Sequence, residues 1–276
     1  MSAEWNDPPS HLPALMMGEI DVWSITLDLP MAQVEALGAV LSADERDRAS
    51  RFCFERDRRR YICARRALRA LLAGHLGVGA EDVTFRYGSN GKPALSGQFE
   101  GRFTFNVSHS GGLALVAISR NVEIGVDVEV VRPLDDAHEL ASRFFAPREA
   151  ERLRALPSHA VPSAFFACWT RKEAYLKAIG SGLAKPLDAF EVSFADDETA
   201  KLIVYGDEAE TARWTVRGLA PAAGYAAALV TEGAAIVRCW RFACQTNIVP
   251  VKDLSAQTAS PDGRESREPI VPCKLL

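Results

Sequence analysis

Two short stretches, Gly125-Val-Asp-Val-Glu129 and Trp169-Thr-Arg-Lys-Glu-Ala-Tyr-Leu-Lys177, hold three carboxylates and two lysines at spacings that suit a magnesium-pyrophosphate site. If the first is a strand, Asp127 and Glu129 project to one side while Val126 and Val128 enter the core. If the second is a helix, Glu173 and Lys177 share a face one turn apart. Oxygen ligands of this kind fit a hard cation that keeps some waters and takes other ligands from substrate phosphates. Glu173 also interrupts a stripe of Phe165, Trp169, Leu176 and Gly180 headed for the interior, where a carboxylate needs a partner or a metal. The plainer alternatives are a Glu173 to Lys177 surface pair, worth under about 1 kcal/mol, and acidic residues on the wet face of an edge strand.

A third stretch, Phe105-Asn-Val-Ser-His-Ser-Gly-Gly112, sets Ser108, His109 and Ser110 where a strand gives way to glycines. Two hydroxyls and an imidazole there make a cradle for a phosphate or for a nucleotide's hydroxyls. The Gly-x-Ser-x-Gly elbow of serine hydrolases is absent. In Gly91-Lys-Pro93 the proline holds Lys92 extended, suited to meeting an anion, although the glycine spacing is not that of a P-loop.

The elements that must position these groups are legible from periodicity. Ile20 to Leu27 fits a buried strand, and Pro30 opens a helical stretch to Leu41. Ser42-Ala-Asp-Glu45 has the form of a capping box, and Tyr61, Ala64, Leu68, Leu71 and Leu72 recur at helical spacing up to Gly77. Strands are expected at 83–87, 103–107, 113–119 and 124–130, with a Gly-Ser-Asn-Gly turn at 88–91. Helices are expected at 134–145, 147–156 and 161–179, then strands near 190–194, 201–205, 213–217, 225–231 and 235–242. The order strand, helices, strands thus occurs twice, which points to an α+β protein of two similarly built halves. The expected division is a leader without structure at 1–17, an N-terminal lobe at 18–124, a C-terminal lobe with the acidic motifs at 125–245 and a polar tail at 246–276.

The chain has 276 residues, 48% of them hydrophobic, enough for a substantial core. It contains no run of 18 apolar residues, and its N-terminus lacks a basic start and an apolar h-region, so a cytoplasmic protein is expected rather than a membrane or secreted one. Six cysteines without Cys-x-x-Cys or His spacing argue against zinc and against a disulfide framework and read as buried thiols. Residues 46–69 carry ten arginines against Asp47, Glu55 and Asp57, a local +7 that leaves -11 for the rest of a chain of net charge -4. A basic patch on an acidic protein favours a discrete anionic ligand or an acidic partner protein over a long nucleic acid. A solvated helix face with internal pairing is the simpler alternative.

Asn106-Val-Ser-His-Ser110, Gly125-Val-Asp-Val-Glu129 and Trp169-x-x-Lys-Glu-Ala-x-x-Lys177 together resemble the signature of the 4′-phosphopantetheinyl transferases, in particular the larger pseudodimeric Sfp type. Phe144-Phe145 and Pro186-Leu-Asp188 agree with it, and the likeness runs over about residues 18–243. It implies two similar α/β lobes, each a small, mainly antiparallel sheet packed on helices. It further implies transfer of the 4′-phosphopantetheine arm of coenzyme A to a serine of an acyl or peptidyl carrier protein, releasing 3′,5′-ADP. Carried over by motif, Asp127, Glu129 and Glu173 would bind Mg²⁺ with the pyrophosphate, and Lys172 and Lys177 would contact phosphate. Ser108 and His109 would meet the 3′-phosphate region, Lys92 the phosphates, and Arg48, Arg51 and Arg60 the nucleotide. Aligned on Phe52, Glu45 stands where related enzymes often carry a lysine.

Such chemistry depends on positioning and charge neutralisation more than on a strong nucleophile. Glu173 and a metal-bound water are both candidate acceptors of the serine proton. The expected partners are coenzyme A and a carrier protein, with no nucleic acid and no membrane, and the expected state is a monomer. The Trp169 and Lys-Glu-Ala form of the motif leans toward secondary metabolism. A non-catalytic binding module is the rival from another class, but it would not need three potential metal ligands.

Overall fold

The computed structural model describes residues 4–8, 12–88, 91–181, 185–194 and 200–242. In chain order the elements are β1 (Trp5–Asn6), β2 (Glu19–Thr26), α1 (Met31–Leu37), α2 (Ala43–Ser50), α3 (Glu55–Leu76), β3 (Phe85–Tyr87), β4 (Pro93–Leu95), β5 (Thr104–Ser110), β6 (Leu113–Ser119) and β7 (Ile124–Val130). There follow α4 (Ala137–Phe144), α5 (Pro147–Arg154), α6 (Val161–Ile179), β8 (Phe190–Val192), β9 (Leu202–Val204), α7 (Glu208–Arg213), β10 (Trp214–Leu219), β11 (Tyr225–Glu232) and β12 (Ile236–Phe242).

Local chemistry sets the ends of the helices that matter. The Ser42 amide donates to Glu45 Oε2 at 3.0 Å to open α2, and α3 stops at Gly77, whose φ of +73° suits glycine. The long helix α6 begins with Pro162 in its first turn and ends at Gly180 in the left-handed region.

Two sheets organise the molecule, a five-stranded one in the order β1-β12-β2-β6-β5 and a three-stranded one in the order β10-β11-β7. The first packs one face on α3, where Trp23, Ile25, Val116 and Ile118 meet Leu68, Leu71 and Leu72. The second packs one face on α6, where Ala228 and Val230 meet Ala174 and Tyr175. Between the sheets, Ile20, Val22 and Leu115 face Val126, Val128 and Leu229 in a third apolar layer. The result is an α+β fold of two lobes, helix on sheet against sheet on helix. The strict alternation along β7 follows from this placement: its valines serve the inter-sheet layer, and its other face turns to α6.

Two expectations change. Residues 1–17 are not without structure, because Trp5–Asn6 pair in parallel with β12 and Leu12 and Leu15 are buried in the first lobe. The apolar side chains of the segment drive this, spaced too irregularly to register as a periodic element. Strand β12 lies in the residue range assigned to the second lobe but pairs in parallel with β2 in the first lobe's sheet. Buried Asp21 of β2 secures it, accepting from Arg238 Nε at 2.7 Å and Trp240 Nε1 at 3.0 Å. Of the cysteines described, Cys63, Cys168 and Cys239 are buried, whereas Cys53 is exposed. The centre of the 88–91 turn and the 246–276 tail lie outside the described residues.

Candidate active site

The site grows from the contact between β7 and α6. A Cβ on Gly125 would stand 2.0 Å from the Ala174 carbonyl oxygen and 2.4 Å from the Ala178 nitrogen, so only glycine lets helix and strand approach this closely. One and two alternations further along the same strand face come Asp127 and Glu129, and one turn of α6 beyond Glu173 comes Lys177. The Lys177 ammonium donates to Asp127 Oδ1 at 2.6 Å and to Ser108 Oγ at 2.9 Å. Lys177 therefore pairs with Asp127 across the two elements and not along its helix with Glu173. Ser108 Oγ in turn donates to Asp127 Oδ1 at 2.7 Å. The second oxygen of this buried carboxylate, Oδ2, has no hydrogen-bond partner.

The other two carboxylates are charged neighbours held off balance. Burial, reinforced by the Asp127 and Glu129 charges, raises the Glu173 carboxyl above its ordinary value. Burial likewise raises Glu129, against the hydrogen bond from Ser110 and with the Asp127 charge adding to it. Among the described residues no three of His, Cys, Asp and Glu are grouped closely enough to hold a metal ion. The donor set nevertheless suits a hard cation: oxygen ligands only, one buried carboxylate oxygen unpartnered, and two carboxyls pushed toward the neutral form first by burial and then by neighbouring negative charge, which a cation would offset.

Other predicted residues reach the site in varying degree. His109, on the opposite side of β5 from Ser108, faces the open surface. Partial desolvation and then the Lys177 charge hold its imidazole below the usual value, with Arg48 contributing from α2. Arg48 lies over the Tyr61 ring at 5.8 Å, and Arg51 is exposed. Arg60 forms a bidentate pair with Asp28 at 2.7 and 2.8 Å beside Gly112, just past Ser110. The Lys92 ammonium donates to the Lys177 carbonyl at 2.8 Å, a cation at the C-terminal turn of α6. Burial lowers its pKa.

Lys172 is not brought to the site. Its ammonium is fully buried on the far side of α6, 2.7 Å from Glu149 Oε2, and donates to the carbonyls of Leu187 at 2.8 Å and Phe190 at 2.6 Å. Adjacent helical residues point about 100° apart, so Lys172 and Glu173 cannot serve the same face, and the phosphate contact expected of Lys172 does not hold. Glu45 has a structural task too, binding Arg65 and Arg69 in the first lobe. Sequence reasoning passed over Asn106, whose Oδ1 accepts from the Val126 amide at 2.9 Å. The clue was the i, i+2, i+4 spacing of Asn106, Ser108 and Ser110 on one strand face.

A two-lobed α+β protein with lysines and carboxylates gathered where a sheet edge meets a glycine-packed helix is an enzyme built around anionic chemistry. Residues 123–230 match the 4′-phosphopantetheinyl transferase superfamily, and residues 30–121 match the 4′-phosphopantetheinyl transferase N-terminal family. The 4′-phosphopantetheinyl transferase HetI of Nostoc sp. is 44% identical over 83% of this chain and 94% of its own length. The 4′-phosphopantetheinyl transferase psf-1 of Bacillus pumilus is 32% identical over 64% and 74%, and the transferase Sfp of Bacillus subtilis is 29% identical over 64% and 77%. The chain belongs to the 4′-phosphopantetheinyl transferase superfamily and is a transferase that moves 4′-phosphopantetheine from coenzyme A to carrier proteins.

Proposed function

We propose that this transferase works with Mg²⁺ held by Asp127, Glu129 and Glu173, and that Lys177, Ser108, His109, Lys92, Arg48, Arg51 and Arg60 receive coenzyme A. The observation that carries the reading is the buried, unpartnered Oδ2 of Asp127, beside two carboxyls raised by burial and by one another's neighbouring charge. When bound, the ion would neutralise the pyrophosphate and polarise the phosphorus under attack. Lys177 and Ser108 orient Asp127, and Lys177, at the mouth of the acidic cluster, is placed to meet a phosphate oxygen. His109 and the three arginines are taken to meet the nucleotide, the arginine charge favouring its 3′-phosphate.

The carrier serine oxygen forms the new bond to phosphorus, the bond from phosphorus to the 3′,5′-ADP oxygen breaks, and the serine proton must leave. Glu173 is the acceptor in this reading, a carboxylate on the face of α6 that meets Asp127, one turn from Lys177. One chain carries both lobes, and in this reading it acts as a monomer in the cytoplasm, without nucleic acid or membrane. Among the described residues no helix is long and apolar enough to cross a membrane. The carrier is taken to be one of secondary metabolism, with acidic surface complementing the Arg-rich segment.

Asp127→Ala and Glu173→Gln should each reduce transfer by more than about 100-fold with the circular dichroism spectrum unchanged. Mass spectrometry of an apo-carrier incubated with coenzyme A and Mg²⁺ reads the outcome. Normal turnover in either variant would sink the assignment.

A further inference from the structure

The edge of β7 away from β11 has no strand paired to it among the described residues. Its amides are occupied all the same. Asn106, Ser108 and Ser110, alternate residues of β5, accept from the amides of Val126, Val128 and Val130 at 2.9, 3.4 and 3.1 Å. Three side chains thus replace a backbone ladder and fix the register of the carboxylate strand against the other sheet.

The last rung has a second contact that the transferase chemistry described above does not use. A serine hydroxyl has one proton to give. With the Val130 amide donating to Ser110 Oγ, that proton goes to Glu129 Oε2 at 2.6 Å. The strand end that presents Ser110 is itself held. A Cβ at Gly111, where φ is +55°, would lie 2.6 Å from Val130 Cγ2, and the Gly112 amide donates to the Tyr225 hydroxyl at 3.2 Å. We propose that Ser110 is a positioning residue that fixes the Glu129 carboxylate in advance of ion binding. A half-buried glutamate near a strand end otherwise has several rotamers to lose when it becomes a ligand. Supporting hydrogen bonds of this sort are where metal affinity is tuned. The inference rests on the proposed role of Glu129 as a ligand, and the test separates the two.

The full chain with coenzyme A is titrated with Mn²⁺, and free ion is read by electron paramagnetic resonance, for the wild type, Ser110→Ala, Ser110→Thr, Glu129→Gln and the Ser110→Ala/Glu129→Gln double variant. Ser110→Ala weakens Mn²⁺ binding about tenfold and lowers kcat at limiting ion, with KM for coenzyme A within about twofold of the wild-type value. Ser110→Thr, which keeps the hydroxyl, binds as the wild type does. In the Glu129→Gln background the alanine substitution changes nothing further, which a merely structural role for the serine would not give. An equal loss in both backgrounds, a folded Ser110→Thr that has lost the ion, or a Ser110→Ala that binds normally while Glu129→Gln is impaired overturns the positioning role alone. Unaltered binding by Glu129→Gln overturns the ligand role of Glu129, and the inference with it.

Discussion

At the scale of single residues, the acidic cluster is a place where ionised carboxyls cost the fold stability. Glu173 and Glu129 both hold their protons more tightly in the folded chain than ordinary glutamates, first through burial. Between the unfolded and folded values the native state therefore binds the extra proton, and stability falls as pH rises through that window. Glu173→Gln should melt higher than the wild type in calorimetry at pH 7 to 8 without divalent ions, by about 2–4 °C if the relieved cost of burying this charge beside two others is ~1 kcal/mol. Melting at or below the wild-type temperature contradicts it. The same sign governs activity. In the proposed metal role the carboxylates must be ionised, so the acid limb of the rate profile should lie above the ordinary glutamate value and move to lower pH as Mg²⁺ is raised, the ion competing with the proton. That Asp127, Glu129, Glu173 and Lys177 come together in one place was legible from their types and spacing. Which of two neighbouring lysines faces them was not, since Lys172 is bound by Glu149 of α5, a partner 23 positions away that no local motif reveals.

At the scale of elements, the site depends on how closely α6 approaches β7. Gly125→Ala would drive a methyl into the backbone of Ala174 and Ala178, atoms that cannot swing aside as a side chain tip would. The helix must shift, taking Glu173 and Lys177 away from Asp127. The expected result is a loss of about 1–3 kcal/mol or more in urea unfolding and at least about a 100-fold drop in transfer, and near-normal activity would show that the approach is not needed. The helix itself was readable as 161–179 because proline and glycine mark its ends and an apolar stripe runs along it. Strand β7 was equally clear from its alternation, and β11 and β12 from largely apolar runs set off by Gly224 and Gly233. Their partners were not, because hydropathy says which face of a strand is buried and nothing about which strand lies beside it. The two-residue β1 is too short to have a period.

At the scale of the molecule, the two lobes share a core. The inter-sheet layer draws Ile20, Val22 and Leu115 from one half and Val126, Val128 and Leu229 from the other, so a single calorimetric transition is expected in place of two. Deleting residues 1–17 removes buried Trp5, Leu12 and Leu15. At about 1.5–3 kcal/mol for each fully buried side chain, unfolding in urea should move to clearly lower concentration; an unchanged midpoint would restore the reading of this segment as a leader. The pairing of β12 with β2 joins Ile236 to Glu19, and loop closure over such a span is slow compared with local contacts. On a ribosome, which makes the chain from its amino end, β2 must wait with one edge uncovered until Phe242 has emerged. Every residue of the chemistry is translated before the strand that completes the first sheet. A nascent chain already carrying all three motifs of the proposed site is thus still an unfinished protein, and a chaperone that shields strand edges has its longest opportunity there.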